Sequence, residues 1–339
     1  MAQFEYAADA VRNITSGINL GNSFDANGHY TGGDITKYET QWGEPPVSRE
    51  LITLMKESGF NAVRVPVTYK HHFDENGTID KAWLARVREV TDHILSLGLY
   101  CIINIHHDGG EGSWVLSSTA GFESKGELFG KLWVQIAQYF EDCGERLLFE
   151  GINEPINEKR EWLANDEDSI RGTYLFNQCF IDSVRATGGN NAQRNLIVMP
   201  YAGSGTQGRL DTFELPHDTV KGRLIVEVHN YDPQGFCWYK AIGQVLRDTW
   251  GTDEDHAQIE YFKVIMQQAM KRLDVPMIVG EYGSQDKKNT QERAKQARAF
   301  VSAMREIGVK CFWWECGAFS LIDRHENKVR FGEIVRAIT

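Results

Sequence analysis

Short runs of apolar residues alternate with longer, helix-like segments along the whole chain. Strands that are buried on both faces appear in a sequence as continuous apolar runs bounded by polar or Gly-containing residues. The runs lie near residues 14–20 and at residues 61–65, 100–105, 147–149, 196–199, 224–228, 277–279 and 309–314. Together they indicate the strands of a parallel sheet.

The segments between these runs place apolar residues three and four positions apart. Trp83, Val87 and Val90 begin one such series, and residues 259–273 and 297–307 contain two others. This spacing puts the apolar side chains on one face of a helix, ready to cover a sheet. Regular alternation of strands and helices predicts an α/β fold, the (β/α)8 TIM barrel.

A doubly wound open sheet is the alternative fold. It predicts a Gly-rich phosphate loop after the first strand, but residues 17–22 (GINLGN) hold two glycines without that spacing. We therefore expect residues 1–339 to form one barrel domain. Gly59, Gly98 and Gly308 each follow a helical pattern, and we expect them to end those helices in the left-handed conformation.

The chain is acidic, with 36 Lys and Arg against 47 Asp and Glu and a formal net charge of −11. This balance disfavours nucleic acid as a partner, because such binding needs clustered basic residues. Residues 1–5 lack the basic and apolar pattern of a signal peptide, and no apolar run is long enough for a membrane span. Six cysteines are too few for a disulfide scaffold and match no zinc signature, so we expect mostly free thiols.

Two glutamates carry the strongest chemical signal. In a barrel, functional groups lie at the C-terminal ends of the strands, and Glu154 and Glu281 follow the fourth and seventh runs. An isolated Asn-Glu-Pro more often anchors a loop, but a second Glu at a strand end favours catalysis. Paired carboxylates can divide the acid and nucleophile roles, as glycosidic bond cleavage requires.

Charged and imidazole side chains at neighbouring strand ends add to this signal. Arg64 lies inside an apolar run, so it needs a carboxylate partner and would keep a nucleophile ionised. Adjacent strand residues point to opposite faces, so His106 and His107 can both reach the barrel mouth only if the strand ends before them. We expect sugar hydrogen bonds from one ring, packing from the other, and no metal.

Tryptophans divide into core residues and candidate sugar platforms. Trp83 and Trp133 lie on apolar helix faces and are expected in the core. Tryptophans outside the core can offer flat aromatic faces that suit the apolar faces of sugar rings. For any single loop tryptophan, partial burial explains the residue equally well. Trp314 is the exception, because it ends the eighth strand. The residues in loops or at strand ends are Trp42, Trp114, Trp238 and Trp314.

From about residue 14 to residue 317 the chain resembles glycoside hydrolase family 5, and more narrowly the bacterial endo-β-1,4-glucanases of subfamily 4. The resemblance is carried by residues 17–22 (GINLGN), 59–66 (GFNAVRVP), 105–108 (IHHD), 152–155 (INEP), 229–231 (HNY), 280–283 (GEYG) and 313–314 (WW). It implies a retaining mechanism with Glu154 as acid/base and Glu281 as nucleophile, and no cofactor.

The resemblance also implies roles for the neighbouring residues. Arg64 and Tyr231 would support the nucleophile, and Asn153 would bind the 2-hydroxyl in the −1 subsite. The remaining expected residues are His106, His107 and His229 as hydrogen-bonding or supporting groups, Trp314 as the floor of that subsite, and Asn22 and Trp42 on the glycon side. The family usually reads Trp-Asp-Asn-Gly where residues 314–317 read Trp-Glu-Cys-Gly, which puts the glycon subsites in question.

The expected activity is endo-acting hydrolysis of internal β-1,4 bonds in cellulose-like and mixed-linkage β-glucans. A xyloglucanase, or a broad glucanase, mannanase and xylanase, is the alternative, because single hydroxyls and branches change binding by only a few kcal/mol. Residues 28–44 and 232–255 are expected to determine which of these polysaccharides is preferred. More remote alternatives are a metal-dependent hydrolase using His106, His107 and His229, and a non-catalytic sugar-binding protein. By resemblance we expect an extracellular or cell-surface monomer.

Overall fold

Eight parallel strands close into a barrel in sequence order, which confirms the TIM barrel and excludes the doubly wound sheet. The computed structural model describes residues 3–28, 34–109, 113–240 and 243–339. The barrel strands are β1 Gly17–Asn19, β2 Ala62–Val65, β3 Tyr100–Asn104, β4 Leu147–Glu150, β5 Leu196–Val198, β6 Leu224–Asn230, β7 Met277–Tyr282 and β8 Lys310–Trp313. A short hairpin, β9 Ile322–Asp323 and β10 Lys328–Val329, follows the barrel.

Helices connect the strands and cover the outside of the barrel. They are α1 Ala7–Asn13, α2 Thr36–Glu39, α3 Arg49–Glu57, α4 Lys81–Ser96, α5 Thr119–Tyr139, α6 Glu167–Ala186, α7 Gln207–Thr212, α8 Gln234–Cys237, α9 Asp253–Leu273, α10 Thr290–Glu306 and α11 Gly332–Ile338. Short 3-10 turns lie at Gly189–Ala192, Tyr201–Gly203 and Gly317–Phe319. Among the described helices, none is both long and apolar enough to cross a lipid bilayer.

Local sequence explains where the covering helices begin and end. The side chains of Ser48, Asp80 and Thr252 accept hydrogen bonds from the first turns of α3, α4 and α9, which satisfies backbone donors that would otherwise be unpaired. The glycines predicted to end helices have φ of 101° at Gly59, 75° at Gly98 and 79° at Gly308. This left-handed backbone confirms that prediction.

The barrel interior is apolar at the N-terminal ends of the strands and polar at the C-terminal ends. Its lower part is one apolar cluster, closed from below by α1: Ala7, Ala10, Val11, Ile14, Ala62, Tyr100, Ile102, Leu148, Ile197, Ile225, Ile278 and Phe312. Two residues further along their strands, the same face carries buried Arg64, Asn104, Glu150 and Glu227. The alternation of a strand therefore brings these polar groups together below the mouth.

A bulge in β7 sets the direction of Glu281. Val228 pairs with Val279, but the next residue of β6, His229, pairs with Glu281 rather than with Gly280. The extra residue reverses the alternation, so Glu281 points inward beside His229 where a regular strand would point it outward. Gly280 is required there, because a Cβ would lie 1.7 Å from Glu227 Oε1.

All six cysteines lie within the described residues and are free thiols, as predicted. Cys101 and Cys311 are buried in the main core between barrel and helices. Burial raises the pKa of both thiols. They are therefore inert packing residues rather than nucleophiles or metal ligands.

Candidate active site

Glu154 and Glu281 meet at the mouth of the barrel. One carboxylate oxygen of each lies within 4.8 Å of the other. Retaining glycosidases separate their two carboxyl groups by about 5–5.5 Å, whereas inverting enzymes need about 6.5–9.5 Å to admit a water molecule. The spacing therefore fits direct attack by one carboxylate on a sugar ring.

Both oxygens of Glu281 accept hydrogen bonds. Arg64 Nη1 donates to Oε1 at 2.8 Å, and Tyr231 Oη donates to Oε2 at 2.9 Å. Burial raises the pKa of Glu281 and the charge of Glu154 raises it further, while His229 and Arg64 lower it. A carboxyl that accepts on both oxygens is arranged as a carboxylate, which is the form a nucleophile needs.

Arg64 is the centre of the polar network. Its Nε and Nη2 donate to both oxygens of Glu150 at 2.6 and 2.7 Å, and further bonds reach Asn19 and Asn153 at 2.9 and 2.7 Å. Arg64 and Glu150 are fully buried. The predicted carboxylate partner is thus present three times, because Glu150, Glu227 and Glu281 share one guanidinium, whose planar fork suits bidentate pairing with Glu150.

Glu154 has a different environment from Glu281. Its side chain is 23% exposed, against 6% for Glu281. Its backbone has φ 41°, a left-handed conformation that costs a non-glycine residue free energy and is found at functional sites. Solvent access allows Glu154 to exchange protons, so the two environments suit an acid/base and a buried nucleophile.

His229 bridges the two glutamates. Its Nδ1 lies 2.7 Å from Glu154 Oε1 and 3.6 Å from Glu281 Oε2, and its Nε2 lies 3.2 Å from Glu227 Oε1. Burial lowers the pKa of the ring, but Glu281, Glu154 and Glu227 together raise it to about 10. The carboxylates around the ring therefore favour its protonated form.

The adjacent histidines both reach the mouth, because β3 ends at Asn104, before either of them. His106 is buried, its Nδ1 lies 3.0 Å from Asn104 Nδ2, and its ring stacks on Trp314 at 5.8 Å with 6° between the planes. Burial lowers the pKa of His106, as do the charges of His107 and Arg64. Since the Asn104 amide donates to Nδ1, the ring is neutral with its proton on Nε2, 4.0 Å from Glu281.

Two donor groups among the described residues have the spacing of a metal site: Asp25, His106 and His107, and Glu154, His229 and Glu281. In the first, the Asp25 carboxylate already accepts from the backbone N–H groups of Asn22 and Ser23, and His106 Nδ1 is engaged by Asn104. In the second, the two ring nitrogens of His229 already face Glu154 at 2.7 Å and Glu227 at 3.2 Å. The donors are committed to other partners, which disfavours the metal-dependent alternative.

The glycon-side candidates Trp42 and Asn22 are connected through His107 and Asp25. Trp42 is 39% exposed and lies 5.3 Å from the His107 ring, and His107 Nε2 is 3.9 Å from Asp25. Asn22 has φ 57° and its backbone N–H donates to Asp25. Within the two loops expected to decide specificity, residues 29–33 and 241–242 lie outside the described residues.

The other loop tryptophans have partners of their own. Trp114 is partly buried and its Nε1 donates to Asp108 at 2.7 Å. Trp238 packs against Tyr231 and Phe319 at 4.9 and 5.0 Å between ring centroids. Trp314 is buried to 9% exposure, so only part of its face can meet a ligand. As predicted, Trp83 and Trp133 are fully buried in the core.

Glu315 and Cys316, where the sequence departs from the usual pattern after the eighth strand, have different surroundings. Glu315 is buried and accepts hydrogen bonds from the backbone of Leu321 at 2.7 Å and Ile322 at 3.2 Å. It therefore anchors the hairpin that follows β8 instead of lining the cleft. Cys316 packs with Trp314 at the mouth, so the change of chemistry at the cleft wall rests on Cys316.

Sequence reasoning missed the buried groups below Glu154 and Glu281. Glu150 and Glu227 lie in β4 and β6, inside apolar runs, and carry the same signal that identified Arg64. Asn19 and Asn104 are likewise buried at strand ends, where they bond to Arg64 and Glu150. A charged residue within an apolar strand was the usable signal, and it applied to carboxylates as well as to arginine.

Both the sequence and the fold of this chain are similar to those of known proteins. Residues 24–320 match cellulase, glycosyl hydrolase family 5. Endoglucanase A of Clostridium longisporum is 34% identical over 99% of this chain, which spans 66% of that relative's length. Among solved structures, a GH5-4 broad specificity endoglucanase from the same organism has a TM-score of 0.92 at 30% identity and covers 99% of this chain and 97% of its own.

A second solved structure is a family 5 enzyme variant from Prevotella bryantii B14 in complex with a xyloglucan tetradecasaccharide. It has a TM-score of 0.91 at 34% identity and covers 100% of this chain and 99% of its own. The family match extends over most of the sequence, and the fold match extends over all of it. This chain belongs to glycosyl hydrolase family 5, the cellulase family.

Proposed function

We propose that this protein is a retaining endo-β-1,4-glucanase that cleaves internal bonds of cellulose-like and mixed-linkage β-glucans. The observation that carries the proposal is the pair of glutamates within 4.8 Å of each other, one buried and one partly exposed. The family supports the same reaction. A non-catalytic sugar-binding role would not require a paired acid and nucleophile.

In the first step, Glu281 attacks the anomeric carbon while protonated Glu154 gives its proton to the leaving oxygen. The bond to the leaving sugar breaks as the ester bond to Glu281 forms. Arg64 and Tyr231 hold the attacking carboxylate in place. This arrangement lowers the barrier because the nucleophile is oriented before the substrate arrives.

In the second step, Glu154 acts as a base and takes a proton from water. The water oxygen attacks the anomeric carbon, the ester bond breaks, and Glu281 is released as a carboxylate. Two displacements at the same carbon restore the original configuration. We assign Asn153, whose amide oxygen is fixed by Arg64 at 2.7 Å, to the 2-hydroxyl of the sugar in the −1 subsite.

Aromatic side chains around the mouth provide the subsites. Trp314 forms the floor of the −1 subsite beside His106, and Trp42, Asn22 and His107 contact the glycon side. A xyloglucan-bound relative and a broad specificity relative support xyloglucan cleavage as the second candidate activity. An enzyme acting on such large polymers belongs outside the cell or at its surface, and we propose that it acts there as a monomer.

A matched pair of variants tests the two roles. Glu281→Ala removes the nucleophile, so azide is expected to restore turnover of an activated β-cellobioside and to yield the α-glycosyl azide. Glu154→Ala removes the acid/base, so azide is expected to attack the glycosyl-enzyme and yield the β-azide. Wild-type turnover by either variant without azide, or the same azide anomer from both, would contradict the assignment.

A further inference from the structure

Glu227 is a buried carboxylate that the two reaction steps do not use. Its Oε1 lies 3.2 Å from both Arg64 Nε and His229 Nε2, and its side chain is fully buried. Among the described residues its Oε2 has no hydrogen-bond partner. Burying a carboxylate with an unpaired oxygen destabilises a fold, and Gly280 is required to admit it. This cost calls for a functional explanation.

The ring of His229 provides one, because both of its nitrogens face carboxylate oxygens. Nδ1 is 2.7 Å from Glu154 and Nε2 is 3.2 Å from Glu227. Neutral imidazole has one donor and one lone pair, whereas imidazolium has two donors. A neutral ring would therefore direct a lone pair at Glu227 or at Glu154, and a lone pair facing Glu154 is matched only while Glu154 is protonated. An imidazolium donates to both glutamates, and the Arg64 guanidinium lies beside the same Oε1 of Glu227, with its Nε at 3.2 Å.

We propose that Glu227 is a positioning residue, which holds His229 as an imidazolium and fixes its orientation so that Nδ1–H donates to Glu154. The inference rests on the proposed function of Glu154 as acid/base. After Glu154 gives its proton to the leaving oxygen, it is a carboxylate, and the N–H of His229 stabilises that form. His229 keeps both of its protons throughout the cycle.

The groups that face His229 determine how strongly it holds its proton. Carboxylates approach from three elements, Glu154 after β4, Glu281 on β7 and Glu227 on β6. Two further groups, Arg64 of β2 and His106 after β3, face the same cluster through Glu281. Changing Glu227 to Gln removes one negative charge and offers an amide N–H to Nε2. In this variant His229 is therefore expected to lose its proton at a lower pH than in the wild-type protein.

Side-chain nitrogen NMR of His229 tests the proposal without any substrate, with the signal assigned by its absence in His229→Asn. The titration runs from pH 6 to above pH 10, because the wild-type midpoint is expected near the pKa of about 10. In the wild-type protein both nitrogens are expected to stay protonated from pH 6 to 8, and in Glu227→Gln the midpoint is expected to fall by at least about one pH unit. Glu227→Asp keeps the charge and is expected to stay near the wild type. Asp218→Asn, whose carboxylate is buried against Arg185 of α6, is the control and is expected to leave the His229 midpoint unchanged.

A neutral His229 in the wild-type protein at pH 7, or an unchanged midpoint in Glu227→Gln, would overturn the proposal. Kinetics provide a second readout. In Glu227→Gln, kcat/KM on a soluble β-glucan is expected to fall more than kcat/KM on a dinitrophenyl cellobioside, because only the first leaving group needs the proton of Glu154. Equal losses on the two substrates also count against the proposal. If the wild type cleaves no glucan, the proposed function fails, while the NMR result still decides the role of Glu227.

Discussion

Replacing Arg64 with Lys tests whether one guanidinium organises the barrel mouth. Arg64 donates five hydrogen bonds, two to Glu150 and one each to Asn19, Asn153 and Glu281. Lysine keeps the charge, but its single ammonium carries three donors and cannot span that fork. At least two bonds are lost, and a hydrogen bond to a charged group contributes about 1.5–3 kcal/mol. The free energy of unfolding is therefore expected to fall by about 3–6 kcal/mol.

Urea unfolding followed by tryptophan fluorescence measures this change, with an unaltered slope showing that the unfolded states are comparable. The kcat on a soluble β-glucan is expected to fall at least about 100-fold, because Glu281 loses an oriented donor. Arg86→Lys is the matched control: Arg86 bonds to Glu39, Glu89 and Val47 on the outside of the barrel, so stability falls while kcat is retained. A loss under about 1 kcal/mol for Arg64→Lys, or an unchanged kcat, would refute the reasoning.

Three further predictions follow from individual contacts. Gly280→Ala sets a Cβ against Glu227 and is expected to lower the unfolding free energy by about 1–3 kcal/mol or more. Gly208→Ala, whose Cβ would meet nothing within 4 Å, is the control and is expected to leave stability unchanged. Equal urea midpoints for the two variants would contradict this. Tyr231→Phe removes the donor to Glu281 Oε2 and is expected to lower kcat by about 100-fold with little change in KM. Tyr69→Phe is the control, because the Tyr69 hydroxyl has no hydrogen-bond partner among the described residues, and it is expected to leave kcat and KM unchanged. Because Glu281 reacts as a carboxylate and burial raises its pKa, kcat/KM is expected to fall as the pH drops through a midpoint above the ordinary value of 4.5; a midpoint below that value would count against a buried nucleophile.

The apolar runs were sufficient to predict the barrel, because continuous runs separated by helical spacing leave few other arrangements. The same pattern predicted Glu154, Glu281 and Arg64, since each interrupts or ends a run. It could not predict the bulge at Gly280, which depends on how β6 and β7 pair in space. Without that bulge, alternation along β7 points Glu281 away from the mouth.

The sequence alone also could not identify the partners of the predicted residues. An arginine in an apolar strand requires a carboxylate, but only the folded barrel shows that Glu150 and Glu281 share it. The orientation of Glu315 is a similar case, because a strand-end glutamate can face the cleft or the following hairpin. The backbone donors of residues 321 and 322 draw it to the hairpin, and sequence spacing does not reveal such long-range bonds.

The central claim is that Glu154 and Glu281 act in two successive displacements, and the configuration of the first product tests it most directly. Proton NMR can follow the anomeric signals while the wild-type enzyme cleaves a soluble cello-oligosaccharide, before mutarotation mixes the anomers. The β-anomer is expected to appear first, with the α-anomer growing in later at the rate of mutarotation. If the α-anomer appears first, the bond is cleaved with inversion, and the account of a nucleophilic Glu281 is wrong.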